Sequence, residues 1–362
     1  GSTNTQELLA ATGGNTGNVA FVHAVQSILA NEYQVIDWGS SPKIVKEKFS
    51  HIVICCANQI GAHVDLKGWA DRLRSFDLPV TLIGLGAQSN KIGDIPIIPG
   101  GTISFLKEVQ RLNKCSSGSN IATRGHFSSK VLKHYGFDSA PNGCPSLLTS
   151  PDKYLGQTCL KNQNSKTYKR IMVPAGNPYH PSSLIEQMLV DLVKNYDGEY
   201  VLQHPELLFS LVLNKDIDLD AKKRALLNKV YPDFKGIEDL SSWLKAKSVF
   251  FADAPNWLNY AKKFSTAIGP RYHGIALPIQ VGVPGRVIAI DSRTEELAVT
   301  TGVPYIHYKD VVNLNLEELA NESSWTGNEA KAFDKYRHEN SNKYVDFLKS
   351  NGLTAQSHLH KI

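Results

Sequence analysis

Arg271 and His273 stand two residues apart in the segment Gly269-Pro-Arg-Tyr-His-Gly-Ile-Ala276. Arginine offers a planar, permanently charged fork that matches a carboxylate or a phosphate. Histidine is the side chain whose charge changes most easily near neutral pH. An apolar helical pattern begins directly behind the pair, so the positive end of that helix is expected at the same place. The combination suits an anionic substrate on which a proton is also moved. The plainer alternative is that Arg271 pairs with a surface acid while His273 caps a helix.

Other residues of the right type lie on predicted turns. Asn15, Thr16, Gly17 and Asn18 form a glycine-rich turn whose backbone N–H groups suit an anion or a sugar hydroxyl. No Gly-Lys-Ser/Thr follows, so it is not a P-loop, and it is not a dinucleotide fingerprint. Gly84, Gly86 and Gln88 shape a second turn. Arg124 ends a predicted strand and is either a salt-bridged arginine or a cation for the substrate. Arg293 either pairs with Asp291 or Glu296 or adds positive charge to the site. His126, His180 and His204 are further polar candidates, each with a structural or solvent role as its alternative, and Trp257 beside Asp253 could line a sugar. No Asp, Glu, His or Cys cluster has ligand spacing, so neither a metal nor a cofactor is expected.

Taken in order, these motifs resemble the polysaccharide pyruvyltransferase family over roughly residues 8 to 310. The Arg271-Tyr-His273-Gly element, the Gly282-Val-Pro284 turn and the cluster from Asp291 to Leu297 are similar to its signature. Gly14 to Asn18 resembles its N-terminal loop, and Gly84 to Gln88 its mid-domain glycine turn. Arg124, Ser128, Leu132 and Gly136 follow its Arg-x-x-x-Ser-x-x-x-Leu-x-x-x-Gly spacing, with Gly143 to Ser146 as the turn after it. Tyr272 and Asn18 depart from the apolar residue and the aspartate that many members carry at those places.

The resemblance implies transfer of a pyruvyl group from phosphoenolpyruvate to two hydroxyls of a saccharide, giving a pyruvate ketal and phosphate. It implies Arg271 and His273 as catalytic residues, and Arg271, Arg293, Arg124 and Tyr272 as donor-binding residues. Asn15, Gly17, Asn18 and Gln88 would meet the acceptor or the phosphate. The acceptor would be free, lipid-linked or glycan-attached. Two other readings stand beside this one: a GT-B glycosyltransferase using a nucleotide sugar, and a catalytically inactive saccharide-binding protein.

The elements that must carry these residues alternate. Strands are predicted at Tyr33–Trp38, Ile52–Ala57, Val80–Leu85, Asn120–Arg124, Arg170–Pro174, Tyr200–Gln203, Ser248–Ala252, Thr266–Gly269 and Arg286–Ile290. A short buried strand is also predicted at Leu8–Thr12. Helical spacing recurs between them, and a last helix is predicted from Glu329 to Ser350, with Phe333, Tyr336, Tyr344, Phe347 and Leu348 on one face. The polar, aperiodic stretch Pro151–Tyr168 reads as a linker. The fold class is therefore α/β: two Rossmann-like domains with a cleft between them, GT-B-like, and a C-terminal helix. The expected limits are 1–155 on the acceptor side, 156–325 on the donor side, and a helical extension at 326–362.

At 362 residues the chain suits two domains. A formal charge of +5 without any long Lys/Arg run makes nucleic acid a poor partner. A small anion or an anionic membrane surface suits it better. The 5 cysteines are irregularly spaced, and Cys55 and Cys56 lie in an apolar run, which points to buried thiols in a reducing compartment. The expected location is cytoplasmic, in part peripheral at a membrane, or the secretory-pathway lumen if an N-terminal anchor has been trimmed. No apolar run reaches about 18 residues, so no transmembrane segment is expected. Gly1-Ser2 reads as a cloning remnant.

Overall fold

The computed structural model describes residues 5–89, 93–167, 169–213 and 219–362; Gly1-Ser2 and Tyr168, the end of the expected linker, lie outside them. The chain forms two compact units, each with its own parallel sheet. One comprises residues 24–153, 291–301 and 335–362; the other comprises 1–23, 154–290 and 302–334. The expected limits at 155 and 325 follow chain order, whereas each observed unit is assembled from three segments.

The smaller sheet has three strands, β1 (Ile52–Cys55), β2 (Val80–Leu85) and β3 (Ile121–Thr123), in the order β1-β2-β3. Central β2 reads Val-Thr-Leu-Ile-Gly-Leu and is buried throughout, as a strand covered on both faces must be. One face packs on the helices Lys67–Phe76 and Gly100–Arg111 through Ala70, Leu73, Phe76, Phe105, Leu106 and Val109. The other face packs Ile83 and Ala122 on Val25, Ile28, Tyr344, Phe347 and Leu348.

The larger sheet holds β4 (Ile171–Pro174), β5 (Glu199–Val201), β6 (Ser248–Val249), β7 (Thr266–Gly269), β8 (Gly285–Ala289) and β9 (Tyr305–His307). All are parallel, in the order β6-β5-β4-β7-β8-β9. The order runs outward from β4 one way and from β7 the other. The winding therefore reverses between β4 and β7, and the turns leaving their carboxyl ends diverge to opposite faces. In an open α/β sheet that divergence is where ligands bind.

Four expectations change. Leu8–Thr12 is not a strand: Thr5–Ala11 is a helix, built of good helix formers, with Leu8 and Leu9 in the larger core. Gly13 and Gly14, at φ +63° and +81°, end it in the left-handed conformation that glycine adopts freely. Tyr33–Trp38 joins no strand, and Tyr33 and Val35 face solvent, so its β-branched composition has no partner to pair with. The expected linker contains the helix Leu155–Ser165, which buries Leu155 and Cys159 one turn apart beneath a polar outer face. The last helix runs Gly327–Ser350 and buries Phe333, Tyr344, Phe347 and Leu348, but Tyr336 is exposed. It is no separate extension, since each unit takes part of it.

Candidate active site

Arg271 follows β7 and is the N-cap of the helix Tyr272–Gln280. Its Nε donates to the Ala175 carbonyl at 3.0 Å, and its Nη2 donates to Gly176 at 2.8 Å and His204 at 3.1 Å. Ala175 and Gly176 follow β4, and His204 follows β5. The guanidinium thus clasps the carboxyl ends of β4 and β5 from the end of β7, at the place where the winding reverses. Against Gly176 lies Glu186, fully buried in the first turn of the helix Glu186–Asn195. Burial raises the Glu186 carboxyl above its ordinary value, while the Tyr200 hydroxyl, the Arg271 charge and the Gly176 and Asn177 N–H groups oppose that rise. Gly176 has no side chain because the Glu186 carboxylate occupies that place, 1.5 Å from where a Cβ would stand.

His273 lies one residue into the helix and is half-buried. Its ring stands 5.6 Å from Phe21 and 5.5 Å, edge to face, from Tyr272. Tyr272 itself is buried, so its contribution here is packing against the imidazole.

The loop 12–18 belongs to this same unit. Thr16 ties it to the residues just past β5, its N–H donating to the Gln203 carbonyl at 3.1 Å and its Oγ1 to the Leu202 carbonyl at 3.2 Å. Asn15 accepts the Gly17 N–H at 2.8 Å, and Asn18 Nδ2 donates to the Thr12 carbonyl at 2.8 Å. Both asparagine side chains turn inward and shape the loop. His204 meets the loop through Nδ1, 3.3 Å from the Gly14 carbonyl. The six-stranded unit therefore gathers Arg271, Tyr272, His273, Asn15, Gly17, Asn18 and His204.

Arg124, Gln88 and Arg293 belong to the three-stranded unit. Arg124 is buried, donating from Nε to Gly84 at 2.9 Å, from Nη1 to Asn58 Oδ1 at 2.7 Å, and from Nη2 to Cys56 at 3.4 Å. Gly86 must lack a side chain there, because a Cβ would fall 2.7 Å from Asn58 Oδ1 and 2.9 Å from Arg124 Cδ. Gln88 is half-buried, and its backbone N–H donates to Ile60 at 2.8 Å. Arg293 pairs through Nε and Nη2 with Asp291. Burial alone would raise Asp291, but Arg293 and the Thr294 hydrogen bonds outweigh it and hold this carboxyl below its ordinary value. Glu296 accepts both the N–H and the hydroxyl of Ser128, at 2.7 and 2.8 Å.

Three of the remaining candidates, His180, Asp253 and Trp257, have structural posts. His180 caps a 3-10 turn through Ser182, His126 is exposed, Asp253 caps the helix Ala254–Ala261, and Trp257 is fully buried. Burial holds the Cys55 thiol up at about 11 and raises Cys56 further, as expected of packed thiols. Two polar residues central to this geometry went unassigned at the level of sequence. Glu186 has no motif around it, and Gln203 was legible only as the residue before His204. Among the described residues no three of His, Cys, Asp and Glu converge as a metal site would require, and no helix is long and apolar enough to cross a membrane.

A family model described as polysaccharide pyruvyl transferase matches residues 15–292. No curated protein matches the chain. A solved UDP-N-acetylglucosamine 2-epimerase is similar at 13% identity, covering 92% of this chain and 74% of that one, with a TM-score of 0.41.

Proposed function

The chain belongs to the polysaccharide pyruvyl transferase family, and from that premise we propose that its donor is phosphoenolpyruvate and its product a pyruvate ketal. In this reading two hydroxyls of a saccharide take up the pyruvyl group and phosphate is released. The observation that supports it best is the position of Arg271 and His273. Both stand at the reversal of the larger sheet, the arginine anchored by three carbonyls and the half-buried imidazole at the head of a helix.

The chemistry sets demands these residues meet. Protonation of the donor's methylene carbon creates a cationic centre at the carbon bearing carboxylate and phosphate. One sugar hydroxyl adds there and loses its proton, and the C–O bond to phosphate breaks. The second hydroxyl then closes the ring and loses its own proton. One proton ends on the new methyl group and one on phosphate, so atoms and charge balance. His273 is assigned the proton given and then regained. Arg271 and the helix start are assigned the donor's negative charge. Asn15, Gly17 and Asn18 are assigned the shape of the loop that meets acceptor or phosphate. Arg124, Arg293 and Gln88 belong to the other unit and are assigned no proton transfer, Arg124 bracing that unit through its own hydrogen bonds. The two Rossmann-like, GT-B-like lobes expected from the sequence belong to the same proposal, as do a metal-free reaction and a glycan-attached or lipid-linked acceptor.

The test is phosphate release from phosphoenolpyruvate across a panel of glycosides. Release that depends on the saccharide, with a ketal in the product's mass and NMR spectrum, is the expected result. Consumption of a nucleotide sugar with phosphoenolpyruvate left intact would overturn the reading.

A further inference from the structure

Gln203 follows β5 and is 2% exposed, yet among the described residues its Nε2 has no hydrogen-bond partner. A buried amide donor left unmade is costly and uncommon. The backbone on which it stands is pinned, since the Gln203 carbonyl accepts the Thr16 N–H at 3.1 Å. The side chain runs between two glycines. A Cβ on Gly17 would fall 2.3 Å from Gln203 Oε1, and a Cβ on Gly274 would fall 2.5 Å from Nε2. Any side chain at either position would displace the amide.

Gly274 is the third residue of the helix Tyr272–Gln280, so the unpartnered N–H₂ group is aimed at that helix's first turn. The N-cap, Arg271, provides no side-chain cap there, and the first turn holds no acidic residue. The buried amide donor thus lies against the flank of a first helical turn, the end of the helix that carries partial positive charge. Both want an oxygen carrying negative charge.

We propose that Gln203 is an oxyanion-binding residue, its Nε2 donating to a carboxylate or phosphate oxygen of a small anion seated at the start of the Tyr272–Gln280 helix. The inference rests on the functional reading above only in naming phosphoenolpyruvate as that anion. Arg271 would then set net charge while Gln203 fixes which oxygen lies nearest the helix, making it a positioning residue for the donor.

The test is calorimetric titration of phosphoenolpyruvate, inorganic phosphate and pyruvate, each alone and without acceptor, into the wild type, Gln203→Met and Gln203→Glu. Met keeps the volume and removes the donor; Glu keeps the shape and adds like charge. The expected result is about ten- to hundredfold weaker phosphoenolpyruvate binding in both variants, the range for losing a hydrogen bond to a charged group. Gln203→Glu should approach the wild type as pH falls and its carboxyl gains a proton to donate, a recovery that a merely structural role would not produce. Phosphate and pyruvate report which end of the donor the amide holds. If a variant fails to fold, the side-chain ¹⁵N–H₂ resonance of Gln203 in the wild type must still shift when donor is added. Binding by the wild type that both folded variants reproduce, or a resonance that does not move at saturation, would overturn the inference and leave the pyruvyl-transfer reading standing. Gln203-dependent binding of inorganic phosphate without binding of phosphoenolpyruvate would do the reverse. No binding of any of the three anions to the wild type would remove both.

Discussion

The two units carry the same short pattern in the same local setting and use it differently. Arg124-Gly-His126 and Arg271-Tyr-His273 each follow a strand and lead into a helix. In each, the arginine reaches back to carbonyls at or just past the carboxyl ends of two other strands: Gly84 and Cys56 in one, Ala175, Gly176 and His204 in the other. The three-stranded unit then closes its pattern. Its helix start is met by a carboxylate of the chain itself, Glu296 on Ser128, and its histidine turns to solvent. In the six-stranded unit the N-cap residue of the equivalent helix makes no side-chain cap, the histidine stays half-buried against Phe21 and Tyr272, and an amide unpartnered among the described residues lies against the first turn. Its sheet also reverses its winding there, while the order β1-β2-β3 has no reversal. A helix start capped by a carboxylate of its own unit stabilises that unit; one whose N-cap side chain makes no cap can take a ligand.

The histidines give the largest expected difference. His273→Ala should depress saccharide-dependent phosphate release by roughly two to four orders of magnitude, the range for losing a general acid–base group. His126→Ala should leave that rate within about twofold. Equal losses in the two variants would erase the distinction between the units.

The arginines should split between binding and stability. With Arg271→Lys the donor titration should weaken by at least about tenfold, because the fork is lost although the charge remains. With Arg124→Lys the thermal midpoint should fall instead, by the equivalent of about 1–3 kcal/mol, as buried carbonyls lose their donors. Should Arg124→Lys alter donor affinity without altering the midpoint, this arginine binds rather than braces.

The smallest effect concerns the two buried carboxyls. Burial raises both Glu186 and Glu296 above their ordinary value of 4.5. A carboxyl whose folded value is raised adds stability that is fully present below its unfolded value and is lost as pH rises through the folded value. Wild-type thermal midpoints should therefore decline from about pH 4.5 upward by more than those of Glu186→Gln or Glu296→Gln. A pH profile identical in all three proteins would mean that neither carboxyl carries such a shift.

Much of this was legible in the chain because it depends on local pattern. Continuous apolar runs bounded by turn residues give β2 and β7 their exact limits, Val80–Leu85 and Thr266–Gly269. The helix behind Arg271 begins where its apolar spacing begins. What failed did so where context overrides pattern. Leu8-Leu-Ala-Ala-Thr12 is apolar enough for a strand, but the larger core receives it as a helix. Leu155 and Cys159 form a stripe too sparse to stand out against polar neighbours. Arg271 donates to three backbone carbonyls, and a carbonyl has no residue type for a motif to register.

By itself the sequence determined which residues could do chemistry, and that they fall on turns leaving strands, since charge, hydrogen-bonding capacity and local periodicity belong to the residues themselves. Only the tertiary structure decided that Thr16 docks just past β5, 186 positions away in the chain at Leu202, that Glu186 lies against Gly176, and that Gln203 runs between Gly17 and Gly274. Those are relations between distant segments. Strand order and side-chain packing set them, and neither is written in any one stretch of chain.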